Sequence, residues 1–156
     1  MIETNEQLVG TWRLVDWTFC VDGSRERRPF GGNATGLLTY TPDGRMWAAL
    51  MRKDRPDVPT RTLSAASPDL RAAVAAGYLN YAGRYTVGDA HVDHHVEISL
   101  LPNWVGGVQR REIEWIDNGA EGPDLQLSTP ATPTDGGRTT VERLRWRRIV
   151  DDGERS

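Results

Sequence analysis

The alternation of polar and apolar residues is clearest between positions 91 and 115, where it predicts two antiparallel strands joined by a turn. One face of the first strand is predicted to hold Val92, Val96, Ile98 and Leu100. His94 shares that face and interrupts its apolar character. The corresponding face of the second strand holds Gln109, Arg111, Ile113 and Trp115. The pattern therefore predicts an imidazole and a guanidinium on the inward faces of neighbouring strands.

Similar alternation recurs along the chain and predicts about eight strands in all, with one short helix. The other strands are expected at positions 10–20, 36–40, 45–51, 78–87, 125–128 and 140–149. A change of parity between Leu14 and Val15 indicates a bulge in the first strand. The helix begins at Ser67 and Pro68 and ends at Gly77. A capping pattern at positions 4–7 predicts one further helical turn, and residues 22–34 and 52–66 are expected to be loops.

Strands at this spacing are typical of an all-β fold, and we predict an up-and-down antiparallel β-barrel, because closure removes exposed sheet edges. An eight-stranded barrel is just wide enough to hold one small ligand. The length of 156 residues predicts a single domain, residues 1–150, followed by a polar tail at 151–156. Six tryptophans need a large core or a cavity wall.

Composition narrows the classes of partner. The net charge is −3, and charges of both signs are interspersed. The chain has no basic stripe with interleaved aromatic residues, the pattern that would predict nucleic-acid binding. The single cysteine, Cys20, excludes an internal disulfide and is typical of a reducing compartment. No apolar run approaches ~20 residues, and no charged leader precedes one. We therefore expect a cytoplasmic protein that does not associate with membranes.

Two sets of residues resemble known proteins. Gly10-Thr11-Trp12 together with Arg148 resembles the lipocalin signature, in which the tryptophan closes one end of the barrel and the arginine packs across it. The segments GTWRLV, PFGGNATGLLTYTPDGRM, YAGRYTV, HHVEISLLPNWVGGVQRR and LRWRR resemble the lipocalin-like domain family of bacteria and fungi. Members are small intracellular proteins, often of secondary metabolism. The resemblance implies a barrel with an internal pocket and does not imply one reaction: some related barrels are cyclases or isomerases, and others have no known activity.

The candidate catalytic residues follow from strand parity: His94, Arg111, Tyr40 and Tyr81. An apolar pocket should lower the pKa of His94 below ~6.5, which leaves a neutral imidazole able to accept or donate a proton. The alternative is a core histidine bonded to a tyrosine or to backbone. Arg111 needs an anion, either on a ligand or on a core carboxylate such as Asp16. The tyrosine hydroxyls could position or protonate a carbonyl oxygen, or could simply pack in the wall.

Six further residues are predicted to contact the ligand: Tyr85, Trp47, Asn103, Trp104, Gln109 and Trp115. Asn103 and Trp104 occupy a turn at a barrel mouth, where side chains often contact a ligand. The alternative is that Trp104 is a lid over a packed core.

The polar face formed by His91, Asp93, His95 and Glu97 raises the question of a metal site. Side chains two apart on one strand face are ~6.6 Å apart, which is far for two ligands of one zinc ion. We therefore predict a solvated outer face and no metal. A bulge could instead turn His95 and Glu97 inward as a base and its orienting partner.

On this basis we favour a cofactor-independent cyclase or isomerase that acts on a polyketide-like natural product by acid–base chemistry. The alternative is a non-catalytic carrier of a small apolar ligand. Either function predicts as partner a small, largely apolar organic molecule with a polar end, and a homodimer remains open. A third interpretation is a solid barrel whose outer surface binds a protein.

Overall fold

The computed structural model describes residues 4–150, apart from the side chains of Thr4, Arg25 and Glu26. The predicted tail at 151–156 lies outside the described residues. The strands are β1 (Gly10–Val21), β2 (Ser24–Arg27), β3 (Ala34–Tyr40), β4 (Arg45–Arg52), β5 (Tyr78–Val87), β6 (His91–Ser99), β7 (Val108–Ile116), β8 (Asp124–Ser128), β9 (Thr132–Pro133) and β10 (Thr139–Arg148). The helices are α1 (Thr4–Leu8) and α2 (Pro68–Ala76), and short 3-10 turns lie at Pro29–Gly32, Leu63–Ala65, Pro102–Trp104 and Gly119–Glu121.

Eight of these strands form a closed antiparallel barrel. The order β1-β3-β4-β5-β6-β7-β8-β10 follows the chain, and β10 pairs with β1 to close the ring. The short strands β2 and β9 pair outside the ring. The predicted all-β barrel is therefore confirmed. No helix within residues 4–150 combines the length and apolarity that crossing a bilayer requires.

The prediction that residues 22–34 form only a loop is wrong, because β2 pairs with the end of β1 as a hairpin. Asp22 and Gly23 form its turn with φ of 49° and 82°. Two consecutive positive φ values match the right-handed twist of a tight hairpin, and Asp-Gly is a favoured sequence for them.

Two bulges set which side chains face inward. The register of β1 against β10 shifts between Leu14 and Asp16, which confirms the predicted bulge and leaves Val15 outside. A second shift lies between β5 and β6, next to Gly83. Past this bulge the inward parity is reversed, so the prediction that Ile98 and Leu100 face inward is wrong, and Ile98 is 65% exposed. A Cβ at Gly83 would collide with the carbonyl oxygen of His95, so the close approach of these strands requires glycine.

One end of the barrel is closed by α1 and by the last residue of β10. Leu8 is fully buried, and its carbonyl oxygen accepts a hydrogen bond of 2.9 Å from the indole nitrogen of Trp12. The Arg148 guanidinium lies 4.2 Å from the centre of the Trp12 ring and donates to two backbone carbonyls just before β1. A Cβ at Gly10 would collide with this guanidinium. Arg148 therefore closes this end through a cation–π contact and hydrogen bonds to backbone carbonyls rather than through an ion pair within residues 4–150.

The other end is not plugged by the longer helix. The Ser67 side chain caps α2 by accepting from the Leu70 backbone N–H, and Pro68 occupies its first turn, as predicted. None of the residues of α2 is buried, so the helix lies beside the start of β5 and does not fill the barrel. The connection between β6 and β7, with the turn Pro102–Trp104, borders this end instead.

Candidate functional site

A cavity of about 260 Å³ occupies the half of the barrel away from Trp12. Its apolar wall includes Trp17, Leu38, Leu50, Leu127, Leu144 and Trp146. Its polar wall consists of Tyr81, His94, Gln109, Arg111, Thr129 and Glu142. Leu101 and Trp104 border it at the β6–β7 connection, so its mouth lies at the end opposite α1.

His94 lies in the middle of β6 and is 1% exposed. Its Nε2 is 2.7 Å from the hydroxyl of Tyr40, and its Nδ1 is 2.8 Å from the hydroxyl of Tyr81. Burial, and then the positive charge of Arg111, lower the pKa of His94 from 6.5 to about 3. The imidazole is therefore neutral at pH 7, with one nitrogen donating and the other accepting.

The two tyrosines determine which nitrogen donates. Tyr40 is fully buried, and within the described chain its only hydrogen-bond partner is His94. Its proton must therefore go to Nε2, since leaving a buried O–H unsatisfied costs ~1–3 kcal/mol. Nδ1 then carries the imidazole proton and donates it to the Tyr81 oxygen. The Tyr81 proton remains available, and because Tyr81 lines the cavity, it is left for an acceptor there.

Both tyrosines stay protonated at neutral pH. Burial raises the pKa of Tyr40 well above 10.0, and the neighbouring Tyr81 raises it further. Burial also raises the pKa of Tyr81, although the charge of Arg111 and a hydrogen bond with it oppose the change. The hydrogen bonds from Tyr40 to His94 and from His94 to Tyr81 thus form a chain between neutral groups that runs toward the cavity.

Arg111 places a half-buried positive charge on the cavity wall. Its guanidinium donates to the Arg110 carbonyl oxygen at 2.8 Å and, more weakly, to the Gln109 side-chain oxygen at 3.4 Å. The ion pair with Asp16 that the sequence left open is not formed, and Asp16 pairs with Arg28. Arg111 makes no ion pair with any carboxylate of the described residues.

Two polar groups on β10, those of Trp146 and Glu142, were not predicted from the sequence. The indole nitrogen of Trp146 is buried and, within residues 4–150, has no hydrogen-bond partner. The Glu142 carboxylate accepts a bond of 3.0 Å from the indole nitrogen of Trp17. Both Glu142 and Trp146 line the cavity. Their alternation with Leu144 on the inward face of β10 is the signal that could have identified them.

The predicted ligand contacts separate into two groups. Gln109 and Trp104 line the cavity, and the Trp104 ring lies 5.7 Å from that of Tyr81. The others lie elsewhere: Tyr85 donates to the Thr41 carbonyl, Trp115 packs on Trp12 at the closed end, Trp47 is 47% exposed on the outer face, and Asn103 is exposed on the turn.

The polar outer face of β6 is occupied by local contacts. Asp93 pairs with Arg110 at 2.7 Å, and Glu97 pairs with Arg45 at 2.6 Å. The ring of His95 is hydrogen-bonded to the Thr86 hydroxyl, so the alternative with His95 and Glu97 inward is wrong. No three metal-ligating side chains of the described residues come together.

Comparisons with known proteins agree with this architecture. The profile of the lipocalin-like domain family matches residues 9–149. The chain is also similar to the 4'-hydroxy-3'-methoxypropiophenone carrier protein ppsC of Aspergillus oryzae, with 30% identity over 112 residues. The match covers 67% of this chain and 96% of the relative.

Proposed function

Because the chain belongs to the lipocalin-like domain family, we propose that it is a carrier that binds one small aryl ketone, or a similar polyketide-derived molecule, inside the barrel. The observation that supports this most directly is the cavity itself, which has one apolar wall and one wall of polar groups at defined positions. The name of the Aspergillus relative supports the ligand class, because a propiophenone is an aryl ketone.

The cavity volume limits the size of the ligand. About 260 Å³ lies below the roughly 300–1,000 Å³ that is usual for drug-sized ligands. A molecule of one or two rings therefore suits it better than a long polyketide chain. Burial of ~250 Å² of apolar ligand surface contributes ~6 kcal/mol before the cost of association, which suffices for weak to moderate affinity.

The polar wall fits a carbonyl oxygen. The Tyr81 hydroxyl proton is available to an acceptor, and the Arg111 guanidinium lies beside the same hydroxyl. A ketone oxygen that accepts from Tyr81 would satisfy this proton and orient the ligand. The aromatic ring would then pack against the apolar wall formed by residues such as Leu127 and Leu144.

Catalysis as a cyclase or isomerase is the second candidate. Tyr81 and Arg111 could stabilise an enolate, which is the intermediate that many such reactions need. His94 is poorly placed to be the base, because both of its ring nitrogens are engaged and its pKa is about 3. An enzyme would instead have to use Glu142, the carboxylate that lines the cavity. We therefore favour the carrier.

The test is a titration of the protein with 4'-hydroxy-3'-methoxypropiophenone, in which tryptophan fluorescence and calorimetry measure binding. We expect one ligand per chain and recovery of the ligand unchanged. Tyr81→Phe should weaken binding by about fivefold, the equivalent of one hydrogen bond. Tyr78→Phe is the matched control, since Tyr78 begins the same strand and lies outside the cavity.

The outcomes separate the two functions. Binding without chemical change, weakened by Tyr81→Phe but not by Tyr78→Phe, supports the carrier. Multiple turnovers that convert the ligand into an isomer and depend on Glu142 would overturn it in favour of the enzyme. Absence of binding by this ketone and by its simpler analogue acetophenone would contradict an aryl-ketone ligand.

A further inference from the structure

The inner wall of the cavity presents hydrogen-bond donors with few acceptors to match them. The Trp146 indole N–H is buried without an acceptor in the described chain. The Tyr81 proton is left over once the Tyr40–His94 bond fixes the imidazole tautomer. Arg111 contributes a positive charge that no carboxylate of the described residues neutralises. All three residues line the same cavity. Hydrogen-bond donors together with a positive charge are what stabilise a negatively charged oxygen.

The charge states of the groups around this wall are also compatible with a bound anion. On β6, His94 is neutral, and the acid Asp93 lies on the outer face, paired with Arg110. On β3 and β5, Tyr40 and Tyr81 are protonated, because burial raises the pKa of each.

Two more titratable groups lie on these same strands, β6 and β5. His95 is on the outer face of β6 and is bonded to Thr86. The hydroxyl of Tyr85, on β5, donates to a backbone carbonyl of the β3–β4 turn. Neither places a negative charge beside Arg111.

Among the described residues, one carboxylate lines the cavity, that of Glu142, and the strand registers place it level with Arg111 but on the far side of β8. Glu142 precedes Trp146 by four residues on β10, so their Cα atoms are ~13 Å apart along the strand. Its carboxylate already accepts from the Trp17 indole. The cavity is therefore polarised, with its positive charge on the β7 wall and its negative charge at the start of β10.

We propose that the cavity binds the oxygen of its ligand as an anion, a phenolate or an enolate, held by Arg111, Tyr81 and Trp146. The proposal rests on the proposed function, since it concerns the same cavity, and it goes further by naming the charge state of the ligand. The ligand's proton is released to solvent, because His94, with a pKa of about 3, does not take it up at neutral pH.

The test uses 4-nitrophenol, whose phenol and phenolate forms absorb at different wavelengths. The comparison probe is 4-nitroanisole, which has nearly the same shape and cannot ionise. Absorbance and calorimetric titrations over a range of pH give the affinity for each form. We expect the phenolate to bind about tenfold more tightly than the phenol, which lowers the pKa of bound 4-nitrophenol by about one pH unit.

The variants identify the source of the preference. Arg111→Gln should abolish the tenfold preference, and Arg111→Lys should keep most of it because the positive charge remains. Arg110→Gln is the matched control, since it removes the same charge from the outer face of the same strand. Trp146→Phe should weaken phenolate binding several-fold and leave 4-nitroanisole binding less affected. Circular dichroism and urea denaturation show that each variant is folded.

The result distinguishes this inference from the proposed function. A lowered pKa of bound 4-nitrophenol that Arg111→Gln removes and Arg110→Gln preserves supports the anion site. Binding of both probes with equal affinity, and titration of bound 4-nitrophenol at its free pKa, would overturn the anion site while leaving the carrier function standing. Binding of neither probe, for which the cavity is large enough, would count against both.

Discussion

Lowering the pH from 7 to 5 should destabilise the barrel through one buried imidazole, that of His94. The folded protein holds the pKa of His94 at about 3, whereas in the unfolded chain the pKa is near 6.5. Between these two values the unfolded state binds a proton that the folded state does not. Stability is therefore full above pH 6.5 and is lost progressively as the pH falls toward 3.

The size of the effect follows from the same two values. Each pH unit in this window costs ~1.4 kcal/mol, so the descent from pH 7 to pH 5 should cost about 2 kcal/mol. The full window to pH 3 corresponds to about 5 kcal/mol. That is a large part of the 5–15 kcal/mol that typically separates a folded domain from its unfolded state. The cause is desolvation of a charge in a wall without a carboxylate partner among the described residues.

The assay is urea denaturation of the wild type and of His94→Gln at pH 7, 6 and 5. The variant does not titrate, so the difference between the two proteins isolates this imidazole from the carboxylates, which protonate mostly below this range. We expect the wild type to lose about 2 kcal/mol more than His94→Gln between pH 7 and pH 5. His95→Gln is the matched control, because His95 lies on the outer face of the same strand and its substitution leaves the buried His94 in place.

Parallel stability curves for the wild type and His94→Gln would refute the reasoning, since they would mean that His94 binds its proton equally well in both states. An NMR titration gives the same answer directly. The imidazole of His94 should show no protonation shift between pH 7 and pH 5, and a midpoint near 6.5 would contradict the burial argument.

Two other substitutions test the backbone and the closed end by urea denaturation. Gly83→Ala should cost about 3 kcal/mol, because the new Cβ meets the carbonyl oxygen of His95, whereas Gly136→Ala adds a Cβ in open space and should change stability by less than about 0.5 kcal/mol. Arg148→Lys keeps the charge but loses the paired donation to two carbonyls, so it should cost about 1–2 kcal/mol, against almost none for Arg13→Lys on the exposed face of β1. Equal losses within either pair would show that the contact named here is not responsible.

The fold could be predicted because its signals are local. Strand alternation and the capped helix at Ser67 each depend on a few neighbouring residues. The closed barrel that these signals indicated is confirmed, and so is the family that the sequence resemblance implied. Only the parity at the end of β6, at Ile98 and Leu100, was mispredicted, because the bulge beside Gly83 depends on pairing with another strand. A glycine inside a strand pattern was its only local sign.

The site was only partly predictable, for a related reason. Parity alone brought out His94, Arg111 and Tyr81 as candidates. It could not show that the two ring nitrogens of His94 meet hydroxyls from β3 and β5, because that contact depends on how three strands pack across the barrel. Trp146 was missed because a tryptophan on an inward face is usually core, and only the structure shows that its N–H has no partner among residues 4–150.

The direction of the hydrogen-bond chain links the folding of the barrel to its chemistry. Tyr40 lies deep in the core, where its ring packs 4.8 Å from that of Tyr85, so its hydroxyl has no route to the cavity. Its proton therefore fixes the His94 tautomer, and the tautomer in turn makes Tyr81 a donor toward the cavity. Tyr40, which does not line the cavity, thus determines that the cavity wall presents a hydrogen-bond donor at Tyr81. The Tyr81 hydroxyl proton sets the ligand selectivity, because a ligand without an acceptor oxygen would leave that proton buried and unpaired.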